Sequence, residues 1–245
     1  MSAALVVALF SALLAGAVSG LTGFGLALIS TPLLLFVYEP KMVVALTTVL
    51  SIFINLAVVL DSWRDAQRRL AMALLPPAFI GIFAGVEILR VVDPLYIRIA
   101  VGVVVVFSAL LLLRDIRLPG AETAWGTVVA GWTSGALSTS TGLAGPPIVL
   151  LLASRGLPKR VFRGSSALYF LIMSLVGLAA LYLRGIFEVD QAPLALALIP
   201  AAFVGKAIGT SFLKRVSEKS FRVISLGLVI LTGTLGVATA LWALL

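Results

Sequence analysis

Charge interrupts this chain so rarely that its apolar blocks decide what it can fold into. Eight such blocks lie near residues 3–38, 42–60, 71–89, 95–113, 124–154, 161–183, 192–213 and 221–245. About 20 apolar residues in a helix cross a hydrocarbon core of about 30 Å. Helices, unlike open sheets, satisfy every backbone N–H and C=O within the segment. The blocks therefore predict an all-α polytopic membrane protein forming one membrane domain over residues 1–245. Only 11% of the residues are charged, against about 25% in a soluble domain. That leaves no stretch for a separate soluble unit. The first positive charge is Lys41, so block one lacks the basic leader of a cleaved signal peptide and reads as mature sequence.

Two blocks are anomalous. Block one has 36 residues and block five 31, too long for one upright span and short for two. Both are broken in the middle. Block one carries Gly16, Gly20, Gly23 and Gly25, then Thr31-Pro32; block five carries Gly131, Gly135, the run Ser138-Thr139-Ser140-Thr141-Gly142, and Gly145-Pro146-Pro147. Gly, Pro and hydroxyl residues interrupt or bend helices. Gly20, Pro32, Gly135, Gly145, Pro146 and Pro147 are accordingly read as the helix-breaking residues. Close helix packing is the competing reading for Gly16 and Gly20.

The coincidence has a source in an internal repeat. A shift of 115 residues lays Gly16, Gly20 and Pro32 on Gly131, Gly135 and Pro147. A shift of 118 lays Lys41 and Val43 on Lys159 and Val161, and Thr47-Thr48 on Ser165-Ser166. A shift of 124 lays Pro76, Phe79, Gly81, Gly85 and Arg98 on Pro200, Phe203, Gly205, Gly209 and Arg222. The chain is thus read as two halves of four blocks, repeat 1 over 1–117 and repeat 2 over 118–245.

Positive charge relates the halves, because cytoplasmic loops collect Lys and Arg. If every block crosses once, one side holds 11 of these residues and the other 6. If blocks one and five are hairpins that return to their own side, loops 64–69, 114–117, 155–163 and 214–222 hold 13, against 4 for Lys41, Arg90, Arg98 and Arg184. The hairpin count is the more biased. It predicts two inverted repeats, each a broken helical hairpin plus three transmembrane helices, in the cytoplasmic (inner) membrane with both termini outside the cytoplasm.

Inverted repeats with paired broken helices point to a secondary transporter with its substrate near the midplane. Unwound backbone and helix N-termini offer unpaired N–H groups, which suit an anion. The candidate substrate-binding residues are Thr22, Gly23, Gly25, Thr31, Ser138, Thr139, Ser140, Thr141 and Gly142. The hydroxyls among them can donate to an oxyanion or only to their own i−4 carbonyls. Asn55 joins them from a polar patch with Thr47, Thr48 and Ser51, mirrored by Ser165, Ser166, Tyr169 and Ser174. Lys206 supplies charge. It lies eight residues before Lys214, about 12 Å along a helix, and either contacts the anion or snorkels to the interface. No partner for it inside a block is evident. Glu87, the one acidic residue within a block, reads as an interfacial partner of Arg90. Trp63, Trp125, Trp132 and Trp242 mostly fall near block ends, as interface anchors do.

The break motifs carry a family resemblance. Gly16-Ala17-Val18-Ser19-Gly20-Leu21-Thr22-Gly23-Phe24-Gly25 with Thr31-Pro32, its partner from Gly135 to Gly142-Leu143-Ala144-Gly145-Pro146-Pro147, and the duplicated four-block halves resemble the sulfite exporter TauE/SafE family, also called the toluene sulfonate uptake permeases. The resemblance covers the whole chain and implies transport of sulfite or organosulfur anions. Phe24 in the first break and the Ser/Thr run in the second depart from the family's more continuous glycine pattern.

The chain has no cysteine and no histidine. That excludes disulfides, thiolate chemistry and imidazole metal sites or proton relays. No metal or other cofactor is expected, and no catalytic residue is assigned. The net charge of +8 lies in short runs between blocks rather than along one face, which argues against nucleic acid. The expected partners are a small anionic substrate and the lipid bilayer, with a homodimer also allowed. The competing functions are a membrane-embedded enzyme acting on a lipid phosphate, a carboxylate transporter, and a structural assembly subunit. The first needs an acid-base group or nucleophile at mid-depth, and no carboxylate pair lies inside the blocks.

Overall fold

The structure, a computed structural model of the chain, describes residues 3–113, 120–213, 217 and 220. These contain nine α-helices: α1 (Ala3–Thr22), α2 (Leu26–Leu34), α3 (Pro40–Ser62), α4 (Arg68–Val91), α5 (Pro94–Leu113), α6 (Ala124–Ser140), α7 (Gly145–Ser154), α8 (Lys159–Leu183) and α9 (Ala192–Leu213). A short 3₁₀ turn at Val189–Gln191 leads into α9. Block eight, Trp242, and the charges at 114–117, 214–215, 219 and 222 lie outside the described residues.

Among the described residues, five helices are long and apolar enough to cross a membrane: α1, α3, α4, α8, and α9 with its leading turn. The protein is an all-α polytopic membrane protein. Large side chains such as Phe10, Ile80, Phe107 and Val204 point outward, where lipid rather than water completes their packing. Blocks one and five each divide into a long helix and a short one, α1 with α2 and α6 with α7. At 9 and 10 residues, the short helices reach only about half the depth of the hydrocarbon core.

Two crossings hold the long helices together. A Cβ on Gly16 or Gly20 of α1 would stand 2.1 Å from the Ala202 carbonyl oxygen or 2.3 Å from that of Lys206 on α9. From the other side, a Cβ on Gly205 or Gly209 would meet the carbonyls of Leu13 and Ala17 at 2.0 and 1.9 Å. In the second crossing, Gly131 and Gly135 of α6 press on the Leu74 and Ala78 carbonyls of α4, and Gly81 and Gly85 of α4 on those of Trp132 and Ala136. Such backbone-to-backbone contact is the usual route to association between membrane helices. The glycines of one crossing fall on those of the other at the 115- and 124-residue shifts read from the sequence.

Contact order fixes the directions. Gly16 and Gly20 meet Ala202 and Lys206 in the same order, so α1 and α9 run parallel; α4 and α6 do likewise. Ser62 at the end of α3 lies against Gly164 near the start of α8, and Thr48 against Gly177, so those two are antiparallel. Lys206 on α9 reaches Asp61 at the end of α3. Hence α1, α3 and α9 run one way, and α4, α6 and α8 the other.

The loops sort accordingly. At one end the Gln67 N–H donates to Ser165 Oγ at 2.8 Å, joining the turn after α3 to the start of α8. At the other, Lys41, Arg90 and Arg184 line a single open cavity of about 600 Å³. If every block crossed once, Lys41 and Arg184 would lie at opposite ends. Glu87 pairs with Arg90 at 3.2 Å, as read from the sequence, and also with Arg184 at 2.9 Å. Trp63 follows the end of α3 with the Arg68 guanidinium 4.1 Å above its ring, and Trp125 is exposed in the first turn of α6.

Candidate functional site

The two breaks meet. In the first, α1 ends at Thr22 and Gly23 and Gly25 take positive φ of 78° and 92°, a region side chains with a Cβ rarely adopt. Gly23 is doubly constrained, since a Cβ there would lie 2.4 Å from the Arg163 carbonyl oxygen. Thr22 Oγ1 accepts from the Phe24 N–H at 3.2 Å and lies 2.8 Å from the Val18 carbonyl and 2.6 Å from that of Phe24, with one proton to donate. In the second break, the Thr141 and Leu143 N–H groups both donate to the Leu137 carbonyl across Gly142, at φ 77°. Ser134 Oγ then donates 2.7 Å to the Ala144 carbonyl and ties α6 to the start of α7. A Cβ on Gly142 would sit 3.0 Å from Thr31 Oγ1 of α2, and one on Gly145 3.5 Å from Leu28. The break in one half thus packs on the short helix of the other.

Between them lies a cavity of about 40 Å³, room for roughly three water-sized groups. Its lining includes Gly25, Leu26, Ala27 and Leu28 from the start of α2, and Ala144 and Gly145 from the start of α7. Neither helix has a side-chain N-cap. The Ile29 N–H closes the first turn of α2 on the Gly25 carbonyl, so the N–H groups of Leu26, Ala27 and Leu28 have no intrahelical partner. In α7, prolines at 146 and 147 remove two of the corresponding donors, leaving Gly145. The first turn of α2 thus offers three such donors and that of α7 one. Hydroxyl and amide groups of Ser19, Thr47, Thr48, Ser51, Asn55, Ser138 and Ser174 complete the polar lining, with Phe24, Phe170 and Met173. Thr47 and Thr48 donate to carbonyls of their own helix. Ser19 Oγ and Asn55 Oδ1 are buried with no partner. No charged residue lines this cavity.

Several sequence readings are corrected by this geometry. Gly20 and Gly135 lie inside α1 and α6, where they serve the crossings rather than the breaks, and Pro32 lies inside α2. Pro146 and Pro147 sit in the first turn of α7, where a missing N–H costs nothing. Because α1 and α6 run on to Thr22 and Ser140, the N–H groups of Gly23, Phe24 and Thr141 are already bonded, while Gly25 and Gly142 of the predicted segments line the cavity beside the helix-start donors at 26–28 and 145. Of the six hydroxyls flanking the breaks, four have backbone acceptors. Besides Thr22, Thr139 donates to the Ile82 carbonyl at 2.8 Å, Ser140 to Ala136 at 2.7 Å and Thr141 to Leu137 at 2.8 Å. Ser138 lines the cavity, and Thr31 Oγ1 is buried without a partner. Asn55 lies where the polar-patch reading put it.

Lys206 is not at the cavity. Its Nζ lies 2.5 Å from Asp61 Oδ2, the partner the sequence did not reveal. The same oxygen is 3.6 Å from Arg163. Arg163, counted from the sequence among loop charges, lies in the first turns of α8 and is 3% exposed. Its Nε donates 2.9 Å to the Gly20 carbonyl and its other nitrogen 3.2 Å to Thr210 Oγ1. It caps the interrupted end of α1, where carbonyls without an i+4 partner carry partial negative charge. Arg98 similarly reaches the Leu35 and Tyr38 carbonyls beyond α2. Within the charged run 155–163, nothing in the sequence sets Arg163 apart from Arg155, Lys159 and Arg160.

A multi-pass helical membrane protein whose two interrupted helices converge on a small polar cavity has the architecture of a membrane transporter. The family model described as Sulfite exporter TauE/SafE matches residues 8–235, and the chain belongs to that family. No curated protein and no solved structure matched the chain.

Proposed function

We propose that the protein exports a small sulfur-containing oxyanion, sulfite first among them, bound between the N-termini of α2 and α7. The observation that carries this is the convergence of two uncapped helix N-termini on one cavity beside buried, unpartnered polar groups. Partial positive charge from helix ends and N–H donors at 26–28 and 145 would hold a trigonal oxyanion without a full cation. A cavity of about 40 Å³ favours an anion of a few heavy atoms over an aryl sulfonate. Support for two inverted repeats comes from the directions of α1, α3 and α9 against α4, α6 and α8, with glycine crossings at repeat-related positions. Placing the 62–67 and 163–165 end at the cytoplasm follows the excess of positive charge there. Export needs no coupling acid in such a site, since an inside-negative potential drives an anion outward with about 2.3 kcal/mol per charge per 100 mV.

The test is sulfite flux in proteoliposomes under an imposed potential, against protein-free vesicles. Flux that follows the potential supports the reading. Absence of flux under any gradient discards sulfite and turns the search to carboxylates and larger sulfonates. Turnover of a lipid phosphate would instead favour an enzyme.

A further inference from the structure

The Asp61, Arg163 and Lys206 cluster is not used by the central cavity, yet it lies directly against the first break. Arg163 contacts the Gly20 carbonyl, and a Cβ on Gly20 would lie 2.3 Å from the Lys206 carbonyl. Phe162, next to Arg163, packs on cavity-lining Phe24 with ring centroids 5.6 Å apart. Two cations share one carboxylate, and through a single oxygen. Asp65 is a second carboxylate near Arg163, but among the described residues only Asp61 pairs with the two cations.

We propose that Lys206 and Arg163 form a second anion site, a docking station beside the first break, which the Asp61 carboxylate fills in this structure. The ligand is the same class of small oxyanion as in the proposed function, on which this inference rests. Three features support it. First, Arg163 is held independently of Asp61, by the Gly20 carbonyl and Thr210 Oγ1, so it stays in place when the carboxylate moves. Its 3.6 Å separation from Asp61 is also longer than a hydrogen bond. Second, the Asp61 side chain is 38% exposed while those of Lys206 and Arg163 are 14% and 4% exposed. The carboxylate is therefore the mobile partner, exchangeable for an anion arriving from solvent. Third, the cluster joins residues of both halves and has no counterpart at the repeat-related positions. At the shifts of 118 and 124, Asp61 falls on Ala179, and Arg163 and Lys206 fall on Ala45 and Ile82. The equivalent helices α4 and α8 carry a different charged group at the other end, Glu87 with Arg90 and Arg184, so the fold does not require charges at 61, 163 and 206. A tethered carboxylate competing with the arriving anion keeps docking weak enough for the ligand to move on.

The test uses the full chain. Labelled sulfite is measured by equilibrium dialysis on detergent-purified protein, and flux is measured in proteoliposomes. Asp61→Asn keeps the side-chain shape and removes the competitor. It should bind one sulfite more per chain than the parent at the same concentration, and lower the half-saturating concentration for flux about two- to fivefold, the worth of one partly exposed ion pair. Adding Lys206→Gln to Asp61→Asn should abolish the extra equivalent while preserving the balance of charge. If the three charges only tie helices together, Asp61→Asn will bind no additional sulfite, and the proposal fails. Dialysis reads the docking station even where the parent shows no flux, so loss of the transport reading and loss of this one are told apart.

Discussion

Replacing Gly20 with Ala tests the packing argument quantitatively. The new Cβ would lie 2.3 Å from the Lys206 carbonyl oxygen and 2.9 Å from its Cα, where ordinary contact begins at 3.4 Å. Both atoms are backbone, so no side-chain rotation relieves the overlap. The helices α1 and α9 must part locally by about 1 Å, and overpacking of this kind costs about 1–3 kcal/mol. The displacement also pulls Lys206 and Thr210 away from Asp61 and the Gly20 carbonyl. Gly145→Ala is the matched control. Its Cβ would meet only Leu28 side-chain atoms, at 3.5 and 3.7 Å, and it keeps its N–H. That substitution should stay within about 0.5 kcal/mol of the parent and retain flux. Thermal unfolding of the detergent-purified full chain, followed by Trp fluorescence, reads both. A Gly20→Ala variant as stable as its parent, beside a destabilised Gly145→Ala, would refute the reasoning.

Other outcomes follow from single contacts. Ser134→Ala removes the bond to the Ala144 carbonyl, and should cost about 0.6–1.7 kcal/mol in the same unfolding assay, the range of interhelical hydrogen bonds in membranes. Gly23→Ala combines a φ of 78° with a 2.4 Å clash against the Arg163 carbonyl, and should lower the yield of folded protein more than Gly20→Ala does. Arg163→Met leaves the end of α1 uncapped and Lys206 with the whole of Asp61; loss of the charged donor to the Gly20 carbonyl is expected to cost about 1.5–3 kcal/mol, read as early unfolding. Asn55→Leu deletes a polar group from the cavity wall, and should raise the half-saturating sulfite concentration while leaving the unfolding temperature within a few degrees of the parent.

The breaks were legible because glycine, proline and clustered hydroxyls at mid-block have few other uses in lipid, and because they recur at a fixed shift. Their extent was not. Gly20 and Gly135 belong to helix crossings, and whether a glycine ends a helix or brings two together depends on the partner helix, which lies far off in sequence: Gly135 to Ala78 is 57 residues and Gly20 to Lys206 is 186. Most hydroxyls near the breaks proved to serve backbone carbonyls, Ser140 and Thr141 within their own helix and Thr139 on α4. Ser138 and Asn55 reach the cavity because the helix faces they occupy point there. Lys206 announced itself as a charge within an apolar block, but Asp61, one residue past the block end, and Arg163, beside a loop, looked like surface charges. Only the packing of α3, α8 and α9 brings them together.

The central claim, that the anion sits between the N-termini of α2 and α7, is tested most directly at Ser138. Sulfite flux under an imposed potential would be compared for the parent, Ser138→Asn and Ser138→Asp. An aspartate there places a carboxylate among the same N–H donors and repels the substrate, whereas asparagine has the same size without the charge. The account predicts flux for the parent and the asparagine variant and a loss of at least about tenfold for aspartate, the effect of some 1.4 kcal/mol. Equal flux through the aspartate variant, folded and inserted to the same level, would contradict it.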